Sequence, residues 1–346
     1  MKSLVNKIQL SNSKYLLSLV PSVITLAGNL AGSYFTLANF FFTFVVLVIA
    51  DMLAPSDKSQ PHDLEDSLPD FILILAVIFH ASAIASLFYG IHSGIIEGTF
   101  VWFAAVSTGL NSGLLGINSA HELIHRRKKI MQNLGIWNLF LVCYAHFYTE
   151  HRLVHHVKVG TAEDPATARY RESLYRFWLR TIPGQFISAL RTDASRQKRK
   201  NHAAYGLHNF TLRATLLQVI FIVVVVFMFS PVIAAAYVVQ SLVAILLLEY
   251  VNYIEHYGLV RSDGTIVGKE HSWQSDAITS RFTLFELTRH SDHHMLAYKP
   301  YHTLESHQES PELPFGYFGM FYIALMPPVF FKMMDKAMPK PEVHNA

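Results

Sequence analysis

Cysteine is almost missing from this chain: among 346 residues only Cys143 carries a thiol. An internal disulfide, a paired-thiol redox motif and a cysteine-ligated iron–sulfur centre are therefore excluded, and any electrons the protein uses come from a separate carrier. Charge is scarce as well. Lys, Arg, Asp and Glu make up 15% of the residues, against about 25% in ordinary soluble proteins. The formal net charge is only +3, which gives no electrostatic footprint for a nucleic-acid partner. Apolar and aromatic residues fill the space, with 25 Phe and 16 Tyr, and the mean hydropathy is positive. One polar residue type runs against that trend. The chain holds 19 histidines.

Six apolar stretches, at about 14–33, 35–53, 70–90, 97–120, 212–230 and 232–254, come close to the roughly 20 residues a helix needs to cross a bilayer. The fold class they predict is all-α: one polytopic membrane domain over 1–346, with about six transmembrane helices. The first stretch follows a short basic segment (Lys2, Lys7, Lys14) and ends without a small-residue cleavage site, so it reads as a signal anchor. Ser230-Pro231 supplies the turn between the last two spans. Arg126, Arg127, Lys128 and Lys129 follow the fourth span, and a basic run from Arg191 to Lys200 precedes the fifth. The positive-inside rule then puts both termini and the segments 121–211 and 255–346 in the cytoplasm. A further apolar segment, 316–331, is interrupted by Pro327-Pro328 and reads as interfacial or re-entrant.

The histidines gather in four clusters. They are His121 with His125, His151 with His155 and His156, His256 alone, and His290 with His293 and His294. Three clusters repeat a four-residue spacing, which on a helix puts both imidazoles on one face, within reach of a common metal ion. His293, three residues after His290, falls on that same face. All nine lie at or just beyond the expected cytoplasmic ends of membrane helices. Imidazole suits divalent transition metals, and nine are too many for one zinc ion, which takes about four ligands. Two ions with four or five nitrogen ligands each use them all. Without thiolates to favour zinc or copper(I), iron is the natural choice for oxygen chemistry.

Each cluster brings an adjacent carboxylate, Glu122, Glu150, Glu255 or Asp292, suited to accept the second imidazole N–H and fix the tautomer. In the sixth span Glu249, Asn252 and His256 form one polar stripe, with Asn252 expected to make interhelical hydrogen bonds and His256 to ligate. Other positions read as structural. His80 is expected to be a hydrogen-bonded bundle residue, Asp51 an interfacial residue, and His271 either a structural residue or one that supports a ligand from behind. Gly109, Gly113 and Gly116 are expected to allow close helix packing or to widen a substrate channel.

At these residues the sequence resembles the integral-membrane alkane monooxygenases, within the wider family of membrane desaturases and hydroxylases. The strings that carry the resemblance are Asn118-Ser119-Ala120-His121-Glu122-Leu123, the run Val159 to Arg169 after the second cluster, Asn252-Tyr253-Ile254-Glu255-His256-Tyr257-Gly258-Leu259, His271-Ser272-Trp273, and Arg289-His290-Ser291-Asp292-His293-His294. The resemblance covers about 109–331. It implies that the nine histidines hold two irons. It also implies O2-dependent hydroxylation of a hydrocarbon, at the terminal carbon of an n-alkane, with electrons from rubredoxin and an NAD(P)H-dependent rubredoxin reductase. The setting implied is a bacterial inner membrane with the metal site facing the cytoplasm. No rubredoxin cysteine motif lies in this chain, and the basic residues Arg196, Lys198, Arg199 and Lys200 offer a docking patch for an acidic carrier. Val154, at a position often glycine, and the run Met295 to Tyr301 depart from the usual pattern and leave the substrate open. Xylene-type aryl-methyl hydroxylation and fatty-acyl desaturation or hydroxylation are the nearest alternatives. A zinc peptidase built on His121-Glu122-x-x-His125 would leave the other clusters unexplained. A metal transporter would hold its ligands nearer the membrane midplane.

Overall fold

Lipid offers no partner for a backbone amide, so each apolar run folds as a helix that closes its own hydrogen bonds. The computed structural model describes residues 12–61, 67–262 and 264–339; Lys2, Lys7 and His344 lie outside them. Among the described residues, six helices are long and apolar enough to cross a membrane: Asn12–Ala31, Ser33–Leu53, Leu68–His92, Phe100–His125, Phe210–Met228 and Pro231–His256. They are called the first to sixth spans here. Among the described residues there is no β-strand, only two isolated bridges. The protein is all-helical and multi-pass.

Tight turns join the first span to the second and the fifth to the sixth. Gly32, between the first two, has φ 70° and faces the Ile95 backbone, so both the dihedral and the space exclude a side chain. Ser230 caps the sixth span by accepting from the Ile233 amide at 3.2 Å, and Pro231 takes the first helical position, where its missing N–H costs nothing.

Small and polar residues join the spans where lipid gives no hydrophobic drive. A Cβ at Gly109 would stand 2.6 Å from the Gln240 carbonyl oxygen, so the fourth and sixth spans touch backbone to backbone. A Cβ at Gly116 would stand 2.6 Å from Nε2 of His80. That imidazole pairs with Ser112 Oγ at 3.1 Å, and Ser112 in turn donates to Gln240 at 2.7 Å. His80 is thus a hydrogen-bonded bundle residue.

The fourth and sixth spans run further than hydropathy alone suggests, to His125 and His256, so histidines ride on their last turns. A cap covers those ends. It comprises a helical segment at 147–158, the long helix Leu174–Arg199, and an irregular stretch from Tyr257 that carries the short helix His290–Met295. Helix Tyr317–Ala324 stops at Leu325, and Pro327 restarts the chain as Pro327–Ala337, because a proline ring cannot continue the preceding helix.

Asp51, expected at the interface, is instead buried at 3% exposure. Its oxygens accept from the Ser280 amide at 3.1 Å, the Ser280 hydroxyl at 2.7 Å and the Gly319 amide at 3.0 Å. It therefore latches the second span to the cap. A second latch lies nearby. Arg281 donates to Glu286 at 2.6 and 3.0 Å and to the Asp57 carbonyl, and Arg289 donates to the Ser59 carbonyl at 2.7 Å.

Candidate metal centre

Four pieces of backbone bring the histidines together: the ends of the fourth and sixth spans, the segment 147–158 and the helix His290–Met295. Their ring nitrogens form two adjoining groups. His121, His125, His151, His156 and His293 make one; His155, His256, His290 and His294 make the other. Within each group the nitrogens lie within 4.8 Å of one another. The groups abut, with His156 and His294 ring centroids 4.5 Å apart.

The pairs His121–His125 and His290–His294 each stay in one group, as their spacing suggests. His151 and His155 do not: the first joins the five-membered group and the second the four-membered one. The reason is local. Residues His151–His155 form a π-helical turn, whose wider winding brings His151 against His156, Nε2 to Nε2 at 3.0 Å, and turns His155 toward His256. His293 likewise parts from His290, at a ring distance of 5.7 Å, and joins the first group.

Neutral imidazole is the form a metal needs. Outside the spans, burial and then the neighbouring imidazoles push His151, His156, His290, His293 and His294 well below the ordinary histidine range. Within the groups the Nε2 atoms meet other imidazole nitrogens, as in His156–His125 at 3.2 Å and His294–His290 at 2.9 Å, with Glu255 also 3.2 Å from His290; the Nε2 atoms of His121 and His155 have no hydrogen-bond partner. Buried nitrogens aimed at one another and left without donors fit two transition-metal ions.

The carboxylates next to the histidines mostly serve other partners, because a neighbour in sequence points to a different side of the helix. Glu122 accepts from the Tyr301 amide at 3.2 Å. Asp292 takes Lys299 at 2.7 Å and His307 at 2.8 Å. Both Glu150 oxygens are buried without a hydrogen-bond partner, and burial, then Asp164 and Glu249, raise its pKa well above the ordinary range. Glu255 accepts from the Tyr317 hydroxyl at 2.7 Å and stands 3.2 Å from His290 Nε2. Glu249 receives Tyr144 at 2.8 Å, Thr181 at 3.1 Å, Gln185 at 2.6 Å and Asn252 at 3.1 Å.

The acid that does bind a clustered imidazole away from its metal-facing nitrogen is Asp164, 2.9 Å from His155 Nδ1. Sequence reasoning gave it no role. Its signal lay in the run Asp164-Pro165-Ala166-Thr167, whose Asp and Thr close a local turn: Thr167 donates to Asp164 at 2.6 Å and the Ala166 amide at 3.0 Å. His271 is structural, accepting from the Gly268 amide at 2.8 Å. Arg196, Lys198, Arg199 and Lys200 sit at the C-terminal end of helix Leu174–Arg199, the last three exposed.

A cavity of about 790 Å³, counted out to its mouth, leads to the histidines. Phe44, Leu247, Val251 and Phe321 line its outer part, and His121, His151 and His290 its inner end. Apolar walls with a few convergent polar groups mark a small-molecule site.

A helical membrane bundle whose capped ends collect nine imidazoles at the foot of an apolar cavity defines a metal-dependent membrane oxidoreductase. The fatty acid desaturase family profile matches residues 97–324. Alkane 1-monooxygenase 1 of Pseudomonas aeruginosa is 37% identical over 263 residues, covering 70% of this chain and 69% of the relative. Alkane 1-monooxygenase 2 of Alcanivorax borkumensis is 33% identical over 317 residues, covering 87% and 82%. The xylene/toluene monooxygenase hydroxylase component of Pseudomonas putida is 25% identical over 299 residues, covering 85% and 80%. The chain belongs to the fatty acid desaturase family and, within it, groups with the alkane 1-monooxygenases.

Proposed function

We propose that this protein hydroxylates the terminal carbon of n-alkanes to primary alcohols, with two irons held by the five- and four-histidine groups. The observation that carries the reading is the apolar cavity ending on His121, His151 and His290, one or two from each group. The net reaction is RH + O2 + two electrons + two protons giving ROH + H2O. An unactivated C–H bond has neither an acidic proton nor a leaving group, and the bound irons would supply the dioxygen-derived oxidant that its cleavage demands. The chain's own residues do the rest. Asp164 holds the Nδ1 proton of His155 and leaves Nε2 for the metal. Phe147 stacks on His151 with ring centroids 4.6 Å apart and fixes that ring. The cavity walls exclude water and take up a chain that enters apolar surroundings at about 0.8 kcal/mol per CH2.

Electrons come from rubredoxin and its NAD(P)H-dependent reductase on the cytoplasmic side of a bacterial inner membrane. The basic runs at 126–129 and 191–200 support that orientation. Arg196, Lys198, Arg199 and Lys200 are the docking patch for the acidic carrier. Reversing their charge raises the KM for rubredoxin at low salt; an unchanged KM removes the patch from the reading. Iron content and octane turnover with rubredoxin and its reductase test the whole proposal. Iron with 1-octanol supports it, whereas zinc with no oxygen consumption overturns it. The 25% identical xylene/toluene relative makes aryl-methyl hydroxylation the second reading, and turnover of xylene but not octane would select it.

A further inference from the structure

Two amides stand where a hydrocarbon pocket has no use for them. Asn118 and Asn252 both line the cavity, on the fourth and sixth spans. Asn118 precedes His121 by three residues and Asn252 precedes His256 by four. On a helix either spacing sets the amide one turn below its histidine, on the same face. The two amides therefore sit between the metal-facing imidazoles and the apolar part of the cavity.

Their hydrogen bonding is incomplete. Asn118 is 5% exposed, and neither its Nδ2 nor its Oδ1 has a partner. Asn252 is 3% exposed; its Nδ2 is committed to Glu249 at 3.1 Å, and its Oδ1 accepts nothing from the described residues. Glu249 in turn is held by Tyr144, Thr181 and Gln185, so the Asn252 amide has a fixed orientation. A buried amide left unsatisfied costs about 1–3 kcal/mol, and an aliphatic side chain of similar size would cost less beside a bare hydrocarbon. A hydroxyl satisfies both: its oxygen accepts from Asn118 Nδ2, and its proton goes to Asn118 Oδ1 or Asn252 Oδ1.

We propose that Asn118, assisted by Asn252, forms a hydroxyl-binding post at the metal end of the cavity, which holds a primary alcohol by its oxygen with the chain in the apolar part. The post rests on the hydroxylation reading for its biological use, since that reaction places a new hydroxyl at this end of the cavity. Its physical claim is separate: the site binds a primary alcohol more tightly than the parent alkane, and Asn118 makes the difference.

Equilibrium dialysis tests it on the metal-loaded, unreduced full chain in detergent, with labelled 1-octanol and labelled octane corrected against protein-free micelles. No turnover is needed, so failure of the catalytic reading leaves the result interpretable. Asn118→Leu weakens 1-octanol binding about fivefold or more, the worth of one hydrogen bond in a buried site, and leaves octane within about twofold. Asn118→Ser keeps one hydroxyl without adding bulk and recovers part of the loss. Should the leucine variant fail to fold, the serine variant decides, with 1-octanol weakened at unchanged octane affinity. Equal weakening of both ligands would assign Asn118 to packing, and no change in either would assign it to a bound water; both overturn the post.

Discussion

His155 Nδ1 and Asp164 Oδ2 meet at 2.9 Å across nine residues of chain. The contact fixes the imidazole tautomer from the side away from the metal-facing nitrogen. Asp164 is itself fixed by Thr167 and the Ala166 amide. Burial works against its ionisation, but His155 and Thr167 outweigh that and hold the carboxyl below the usual aspartate range. Asp164→Ala frees the ring and lowers metal affinity about 10–100-fold. Chelator competition on the purified protein measures it. Unchanged affinity would mean that cap packing alone orients His155.

The two groups of histidines lose metal separately. His293→Ala takes a nitrogen from the five-membered group, and His294→Ala takes one from the four-membered group. Each variant keeps roughly half of the bound iron and forms no alcohol, and the double variant keeps almost none. Elemental analysis reads the first part and product analysis the second. Complete loss of iron in either single variant would tell against two sites that fill independently.

These outcomes depend on details of different visibility in the chain. The six spans were legible from hydropathy, six of the histidines from three repeats of one spacing, and His156, His256 and His293 from their places beside those repeats or on the polar stripe of the sixth span. Their sorting into groups was not, because the π-helical turn at His151–His155 changes the winding over five residues and sends two neighbours to different groups. The carboxylate partners were hidden for another reason. Adjacency suggested Glu122 and Asp292, yet a neighbour one position away faces elsewhere on a helix, and the acid that reaches the Nδ1 of a clustered imidazole sits on a later turn. Asp51 was least legible of all, since its partners Ser280 and Gly319 lie 229 and 268 residues on.

Acid loosens the cap through Glu286. Burial opposes ionisation of this carboxyl, but Arg281, Arg289 and Lys14 outweigh it and hold the pKa below the ordinary glutamate range. A folded pKa below the unfolded one means that the unfolded chain takes up the proton first. The pair's stabilisation is therefore complete at neutral pH, begins to fade near the unfolded value of about 4.3, and is gone once pH has fallen through the folded value. Glu286→Gln leaves Arg281 buried beside a neutral partner and costs about 3–5 kcal/mol at neutral pH. Thermal melts of the two proteins converge as pH falls from the unfolded value through the lower folded one. A constant gap over that window would show that Glu286 contributes through shape and not through charge.

Gly113 sets the bore of the cavity. It lines the channel on the fourth span, and a Cβ there would come 2.8 Å from Leu247 Cδ1 and 3.1 Å from Leu247 Cβ on the sixth. Leu247 also lines the cavity, so displacing its side chain reshapes the channel wall. Gly113→Val therefore narrows the path partway between Phe321 and His121 without touching the histidines. Substrates short enough to lie on the metal side of the constriction keep their turnover, and longer chains that must thread it lose about tenfold in kcat/KM, or roughly 1.4 kcal/mol, within the cost of overpacking a filled site. Competition between alkanes of graded length, read by the alcohols formed, gives the profile directly. A uniform loss at every length, with iron content unchanged, would place the damage in helix packing between Gly113 and Leu247 and leave the bore to other residues.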